Sequence, residues 1–231
     1  MVNIYVSVIL CIMLSYLIGT FNLSYFLSKM RGLDIREHGS GNAGASNTII
    51  VLGKKKGMFV MALDIFKAYF AVKLSMYLFP KLLLAGVISA ASVILGHIFP
   101  FYMGFRGGKG FASLGGSILA LDYRIFFVLL IVTVCIVFIS DYVCLGPTII
   151  STVFAVGFGY IRNSLAVTLI LLVPSICIWI RHMENFKRMK NGQELRFSFL
   201  WNRKSEAERL GIKDDDGESY PFSYDEGKFG E

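Results

Sequence analysis

Uninterrupted apolar runs separated by short polar, glycine-rich stretches set the pattern of this chain, at about 4–28, 58–79, 82–103, 111–121, 125–140, 143–161 and 164–180. Runs such as 125-IFFVLLIVTVCIVFIS-140 approach the roughly 20 residues a helix needs to cross the hydrocarbon of a bilayer. The weakest is 111–121. At about 1.5 Å per residue it falls short of a bilayer about 30 Å thick unless its ends extend into the flanking loops, so six spans is the alternative count to seven. The opening run has no cationic segment before it and no clear small-residue cleavage site after it, and so reads as a span and not as a signal peptide.

The cations give the orientation. Lys29, Arg31, Arg36, Lys54, Lys55 and Lys56 fall within 29–57, Arg106 and Lys109 within 104–110, and Arg181, Lys187, Arg188 and Lys190 follow the last run, whereas the intervening connections hold only Lys81, Arg124 and Arg162. Basic short loops stay on the cytoplasmic side. The pattern predicts an all-α membrane protein, a bundle of about seven transmembrane helices with its N-terminus outside and its C-terminus cytoplasmic. Residues 1–195 form the polytopic part and 196–231 a cytoplasmic tail. From Lys213 the tail carries seven acids against two lysines, which predicts an acidic, disordered end.

Composition agrees with the pattern. The 231 residues are 55% hydrophobic and 17% charged, against about 45–50% and about 25% in soluble domains, which excludes a single soluble core. The net charge of +7 sits beside spans and not along one soluble face, so it points to lipid headgroups and small anions and away from nucleic acid. Cys11, Cys135, Cys144 and Cys177 all lie in apolar stretches without a Cys-x-x-Cys pair. Neither a disulfide framework nor a zinc site is indicated.

Three polar segments carry the candidate chemistry. In 38-HGSGNAGASN-47 small residues let the chain turn through positive φ and expose backbone amides as an anion-binding nest. Ser40, Asn42, Ser46 and Asn47 add side-chain hydrogen bonds around Gly41. A flexible interhelical loop is the plain alternative. In 96-GHIFPFYMGFRGGKGFAS-113, Gly107, Gly108 and Gly110 surround Lys109, so amides and an ammonium can cradle a phosphate next to Arg106 and His97. No Ser or Thr follows the lysine, which excludes a P-loop. In 181-RHMENFKRMKNGQE-194, His182 and Asn185 share a helical face with Arg188 or Met189. An imidazole there can take a proton from a hydroxyl near neutral pH and an amide can orient it. Glu194 can close a salt bridge onto the basic loops. Within the second span Asp64 and Lys67 lie one turn apart and can neutralise each other. His97 and Asp141 lie near span ends.

Gly39-Ser-Gly-Asn-x-Gly-Ala-Ser-Asn47, Gly96-His-x-Phe-Pro through Phe105-x-Gly-Gly-Lys-Gly110, and His182-x-x-Asn-x-x-Arg through Glu194 resemble, in order, spacing and sidedness, the three motifs of the bacterial acyl-phosphate:glycerol-3-phosphate acyltransferase family. The resemblance implies a seven-span enzyme of the bacterial cytoplasmic membrane, its active site facing the cytoplasm, that moves an acyl chain from acyl phosphate to the 1-hydroxyl of glycerol 3-phosphate in phospholipid biosynthesis. It implies no cofactor and no metal. It implies that Ser40, His182 and Asn185 act in catalysis, that the glycines around Lys109 form the phosphate-binding loop, and that Glu194 is mainly structural. One position departs from the family. Where arginine is usual ten residues after the motif-one serine, this chain has Ile50, which can neither donate a hydrogen bond nor carry charge; Lys54, Lys55 or Lys56 is the expected stand-in. Two other readings are a non-catalytic lipid-binding or regulatory paralogue, favoured by Ile50, and an organic-phosphate transporter, disfavoured because the polar residues cluster at one membrane face.

Overall fold

The computed structural model describes residues 3–200 and Asn202. The described residues form nine α-helices: α1 (Ile4–Thr20), α2 (Leu23–Lys29), α3 (Ala45–Leu52), α4 (Lys54–Leu78), α5 (Ala85–Ile98), α6 (Phe111–Leu121), α7 (Tyr123–Ser140), α8 (Leu145–Ile161) and α9 (Leu165–Lys190). The all-α expectation matches this architecture. Four helical stretches, Ile4–Lys29, Ala85–Met103, Tyr123–Ser140 and Leu165–Lys190, are long and apolar enough to cross a bilayer, and α6 and α8 are apolar but shorter.

Helix α5 is the central element, with Val87, Ala90, Val93, Ile94 and Ile98 buried among Ala68, Ala71 and Val72 of α4, Leu114 and Ile118 of α6 and Ile178 of α9. Lipid gives helices no hydrophobic reason to associate, so close packing of small and polar residues does the work. At the α1–α5 crossing a Cβ on Gly19 would lie 2.2 Å from Val93 O and one on Gly96 2.2 Å from Tyr16 O. Beside it the Ser15 hydroxyl bonds Ser89 at 2.7 Å and Ser75 at 3.1 Å.

Two boundaries differ from the sequence reading, each for a local reason. The first apolar run breaks between Thr20 and Leu23, where Asn22 caps α2 by accepting from Tyr25 N at 2.9 Å and donates to Ala43 O at 2.9 Å. The carbonyls freed by the break are taken by the Tyr102 hydroxyl on Thr20 O (2.7 Å) and the Lys67 ammonium on Phe21 O (2.6 Å). The polar segment 38–47 is no plain loop, because α3 begins at Ala45 and buries Asn47, Thr48, Val51 and Leu52 on one face. Helix α9 carries on past the apolar run, which ends at Ile180, to Lys190, in keeping with the shared helical face that the spacing of His182, Asn185 and Arg188 predicts. Residues 213–231, expected to be disordered, lie outside the described residues.

Candidate active site

The three polar segments meet. Ser40, Gly41 and Asn42 from the first with Arg36 just ahead of it, Arg106 and Lys109 from the second, and Arg181, Glu184 and Arg188 from α9 line one pocket of about 160 Å³. Five of these side chains are cationic and one is a carboxylate. Glu184 is largely in solvent, so the pocket is built for an anion.

The first wall is a folded turn. Gly39 (φ +57) and Gly41 (φ +70) take the left-handed conformation the sequence suggested and leave Ser40 between them, exposed to the pocket. Asn47 holds the turn from beneath. Its Oδ1 accepts from Ser40 N at 2.7 Å and its Nδ2 donates to Ile35 O and His38 O, both at 2.9 Å. Fully buried and with both ends of its amide committed, Asn47 builds the loop and is not the substrate ligand the sequence suggested. Asn42 differs, because its buried Oδ1 has no hydrogen-bond partner.

Arg36 is fixed by a fork. Its Nε and Nη2 donate to the two carboxylate oxygens of Asp34 at 2.9 and 2.7 Å, and Nη1 donates to Met103 O at 2.6 Å. These hydrogen bonds hold the Asp34 carboxyl well below the usual range. A guanidinium has five N–H groups, so one on each Nη stays available. Ile50 lies elsewhere, half-buried on the apolar cluster of Leu33, Ile35, Val51 and Met103. Lys54 and Lys55 are exposed at the start of α4, and neither they nor Lys56, the expected stand-ins, line the pocket, whereas Arg36 does. In the sequence Arg36 reads only as a topology signal. The available clue was an acid two positions before it, spaced to clamp it.

The second wall works differently from the expected amide cradle. Gly107 N–H donates to Ile98 O at 3.0 Å and Gly108 N–H to His97 O at 3.1 Å, so neither amide faces a ligand. The glycines are there for space: a Cβ on Gly107 would lie 2.2 Å from His97 O, and one on Gly108 2.1 Å from His97 Nε2. Gly110 is buried over Ile98 and Ile178. The turn lies flat on His97 and projects Lys109. His97 itself is buried, 3.1 Å from Lys67 Nζ and 3.4 Å from Asp64 Oδ1, with Asp64 and Lys67 paired at 2.7 Å. It supports the loop from below and does not reach the pocket. Asp64 and Lys67 neutralise each other as expected.

On the third wall, Lys109 Nζ donates to Asn185 Oδ1, Asn185 Nδ2 donates to Glu194 Oε1 at 2.5 Å, and Arg188 Nε donates to Glu194 Oε2 at 2.8 Å. Glu194, past the end of α9, closes back onto Asn185 and Arg188 of that helix and acts electrostatically on Lys109 of the basic 104–110 turn. Burial lowers the Lys109 pKa to about 8; Arg188 and Arg181 push it the same way and Glu194 opposes them. Arg181 Nη2 donates to Gly107 O at 3.1 Å, while its buried Nε has no partner. His182 is 4% exposed and its Nδ1 lies 2.8 Å from Ile178 O. A carbonyl only accepts, so Nδ1 carries the proton. The ring sits behind the pocket wall and does not line it.

Comparison with known proteins places these residues in context. The family model described as glycerol-3-phosphate acyltransferase matches residues 9–192. A glycerol-3-phosphate acyltransferase of Staphylococcus saprophyticus is 33% identical over 201 residues, covering 84% of this chain and 99% of that protein. One of Clostridioides difficile is 35% identical over 196 residues, covering 81% and 94%. The glycerol 3-phosphate form of PlsY (YgiH), an integral membrane glycerol 3-phosphate acyltransferase, matches with a TM-score of 0.76 at 29% identity, over 84% of this chain and 97% of that one. Its lysophosphatidic acid form matches with a TM-score of 0.73.

Proposed function

The chain belongs to the glycerol-3-phosphate acyltransferase family, and we propose on that footing that it transfers a fatty acyl group from acyl phosphate to the 1-hydroxyl of glycerol 3-phosphate, forming lysophosphatidic acid and inorganic phosphate. The observation that carries the reading is the convergence of Ser40, Lys109 and four arginines from three stretches of the chain on one anion pocket.

Phosphate monoesters are close to dianionic at neutral pH, with a second pKa of about 6. Lys109 and the free N–H groups of Arg36 hold the phosphate of glycerol 3-phosphate, and Arg36 supplies the cation that Ile50 does not. Asn42 Oδ1, an unsatisfied acceptor among donors, receives a glycerol hydroxyl. Arg181 and Arg188 bind the second phosphate, that of the acyl donor. The 1-hydroxyl oxygen then attacks the acyl carbon, the bond from that carbon to the phosphate oxygen breaks, and phosphate leaves with the electron pair. Ser40 Oγ donates to the oxygen on which charge develops.

Among the described residues no neutral nitrogen base lines the pocket, since His182 lies behind it. The hydroxyl proton therefore passes to a phosphate oxygen of the bound substrates. Phosphate is a good leaving group, so positioning and charge stabilisation supply most of the acceleration. His182 orients the α9 segment from within, and Asn185 holds Lys109.

The α1–α2 pair, α4, α5, α6, α7, α8 and α9 form seven spans, with the N-terminus outside. The three basic segments and the pocket then face the cytoplasm of a bacterial cell, as the positive-inside rule requires. The test is release of phosphate and formation of lysophosphatidic acid by the purified protein in detergent, given acyl phosphate and glycerol 3-phosphate. Product from the parent chain and none from a Lys109→Ala, Arg36→Ala double variant supports the assignment; a well-folded parent that makes no product refutes it.

A further inference from the structure

The chain stays at the site after α9 ends. Gly192 turns back at φ +71, and the amides of Gln193 and Glu194 donate to Arg188 O at 2.7 and 3.1 Å. This turn aims Glu194 at Asn185 and Arg188. Past Leu195 and Arg196 the chain is gripped a second time, at the corner between α7 and α8.

The grip is Asp141. It ends α7 in a left-handed conformation at φ 61, and its carbonyl accepts from Phe197 N at 2.7 Å. Its two carboxylate oxygens accept from Ser198, one from the amide and one from the hydroxyl, both at 2.7 Å. The Phe197 ring packs edge-on against Phe138 with centroids 5.2 Å apart. Two charge-assisted bonds to one residue make a strong tie. Only residues 195–197 separate Glu194 from Ser198, and a chain spans at most about 3.6 Å per residue. Fixing Ser198 therefore restrains Glu194.

We propose that Asp141 is a positioning residue for acyl transfer: by fixing Ser198 it holds Glu194 on Asn185 and Arg188, and so sets the geometry of Lys109 at the substrate phosphate. What Lys109 binds rests on the acyltransferase reading above; the strap itself does not.

Among the described residues, Asn185, Arg181, His182 and Arg188 of α9, Glu194 of the strap and Cys144 at the head of α8 face Lys109, and Arg36, Arg106 and the largely solvated Glu184 line the same pocket. Glu194 is the carboxylate that favours the ammonium. Releasing the strap withdraws that carboxylate. The sign follows: Lys109 loses its proton at a lower pH than in the parent, and the affinity for a phosphate ester fails earlier on the alkaline side.

The experiment measures KM and kcat for glycerol 3-phosphate from pH 6.5 to 9.5 in the parent, Asp141→Asn, Ser198→Ala and Ser198→Thr, with hydrogen exchange of the Gln193 and Glu194 amides read on the same samples. In Asp141→Asn and Ser198→Ala, KM at pH 8 rises about three- to tenfold, its alkaline rise starts about half a pH unit lower, and kcat stays within about twofold. Exchange of the two amides speeds up in both. Ser198→Thr keeps both donors and keeps the parent profile. Unchanged exchange with an unchanged KM profile in both variants overturns the proposal, and so does a fall in kcat with the KM profile preserved. A parent that does not acylate glycerol 3-phosphate refutes the acyltransferase reading instead, and the exchange measurement alone then decides whether Asp141 holds the strap.

Discussion

The Lys109 ammonium donates to the side-chain oxygen of Asn185, whose nitrogen in turn donates to Glu194. A flexible four-carbon stem rising from a glycine turn is thereby aimed by an amide from another helix.

Removing the ammonium removes a charge-assisted bond to phosphate of about 1.5–3 kcal/mol, so Lys109→Ala raises KM for glycerol 3-phosphate about ten- to a hundredfold. Asn185→Ala leaves the charge but not its aim, and raises KM less. Because the two residues act as a unit, the double variant is little worse than Lys109→Ala alone. Steady-state kinetics of the three variants checks this, and full additivity would refute the coupling.

The pKa of Lys109, lowered to about 8, sets a pH window. Below that pH the lysine is charged and binds phosphate. Above it the free protein must take up a proton to bind, so KM for glycerol 3-phosphate climbs by up to about tenfold per pH unit. On the acid side KM climbs below about pH 6, as the substrate becomes a monoanion. Lys109→Arg stays protonated throughout and loses the alkaline rise, whatever its absolute KM. A parent profile flat from pH 7 to 9.5 would assign the phosphate to other groups.

Arg36→Ala takes away the guanidinium held by Asp34 and Met103, and raises KM for glycerol 3-phosphate by about tenfold or more. Ile50→Arg in the parent leaves kcat/KM within about threefold, because the cation is already supplied and the new side chain starts from the apolar cluster around Leu33. A tenfold gain from Ile50→Arg would mean that the site lacked a cation and that Arg36 had not replaced it.

Asn42 predicts specificity. A site with a buried acceptor rejects a substrate that lacks the matching hydroxyl, since the acceptor is left unpaired. The parent therefore prefers glycerol 3-phosphate to 3-hydroxypropyl phosphate, and Asn42→Ala narrows the ratio of their kcat/KM values by about tenfold. Competition between the two acceptors in one reaction reads the ratio directly; a ratio unchanged in the variant would free Asn42 of this role.

The helical class and the three converging segments were legible in the sequence because apolar length and the placement of lysine, arginine and glycine are local properties. What escaped was the division of labour inside the segments. Asn47 and His97 look like ligands by residue type, yet both are spent on building loops, a fact that depends on carbonyls of Ile35 and His38 and on the charge pair of α4. The glycines beside Lys109 suggested open amides, but those amides close onto Ile98 and His97. Arg36 and Arg181 were read as topology signals, since nothing in a linear pattern distinguishes a cation at a membrane surface from one turned into a pocket. The break at Asn22 was hidden because its rescue comes from Lys67 and Tyr102, far along the chain.

The placement of Asp64 and Lys67 three residues apart on α4 also bears on how the protein is made. A span emerging from the ribosome with one lone charge would wait for a neighbour to bring the counter-ion, at a cost of about 2.5–3.5 kcal/mol on insertion scales. Helix α4 brings its own. It can settle into lipid as an electrically neutral pair before α5 is synthesised, and Lys67 then reaches the carbonyl that the break in α1 left open. His97 of α5 joins the pair, so the floor beneath the Lys109 turn is built from two helices that follow each other in the chain.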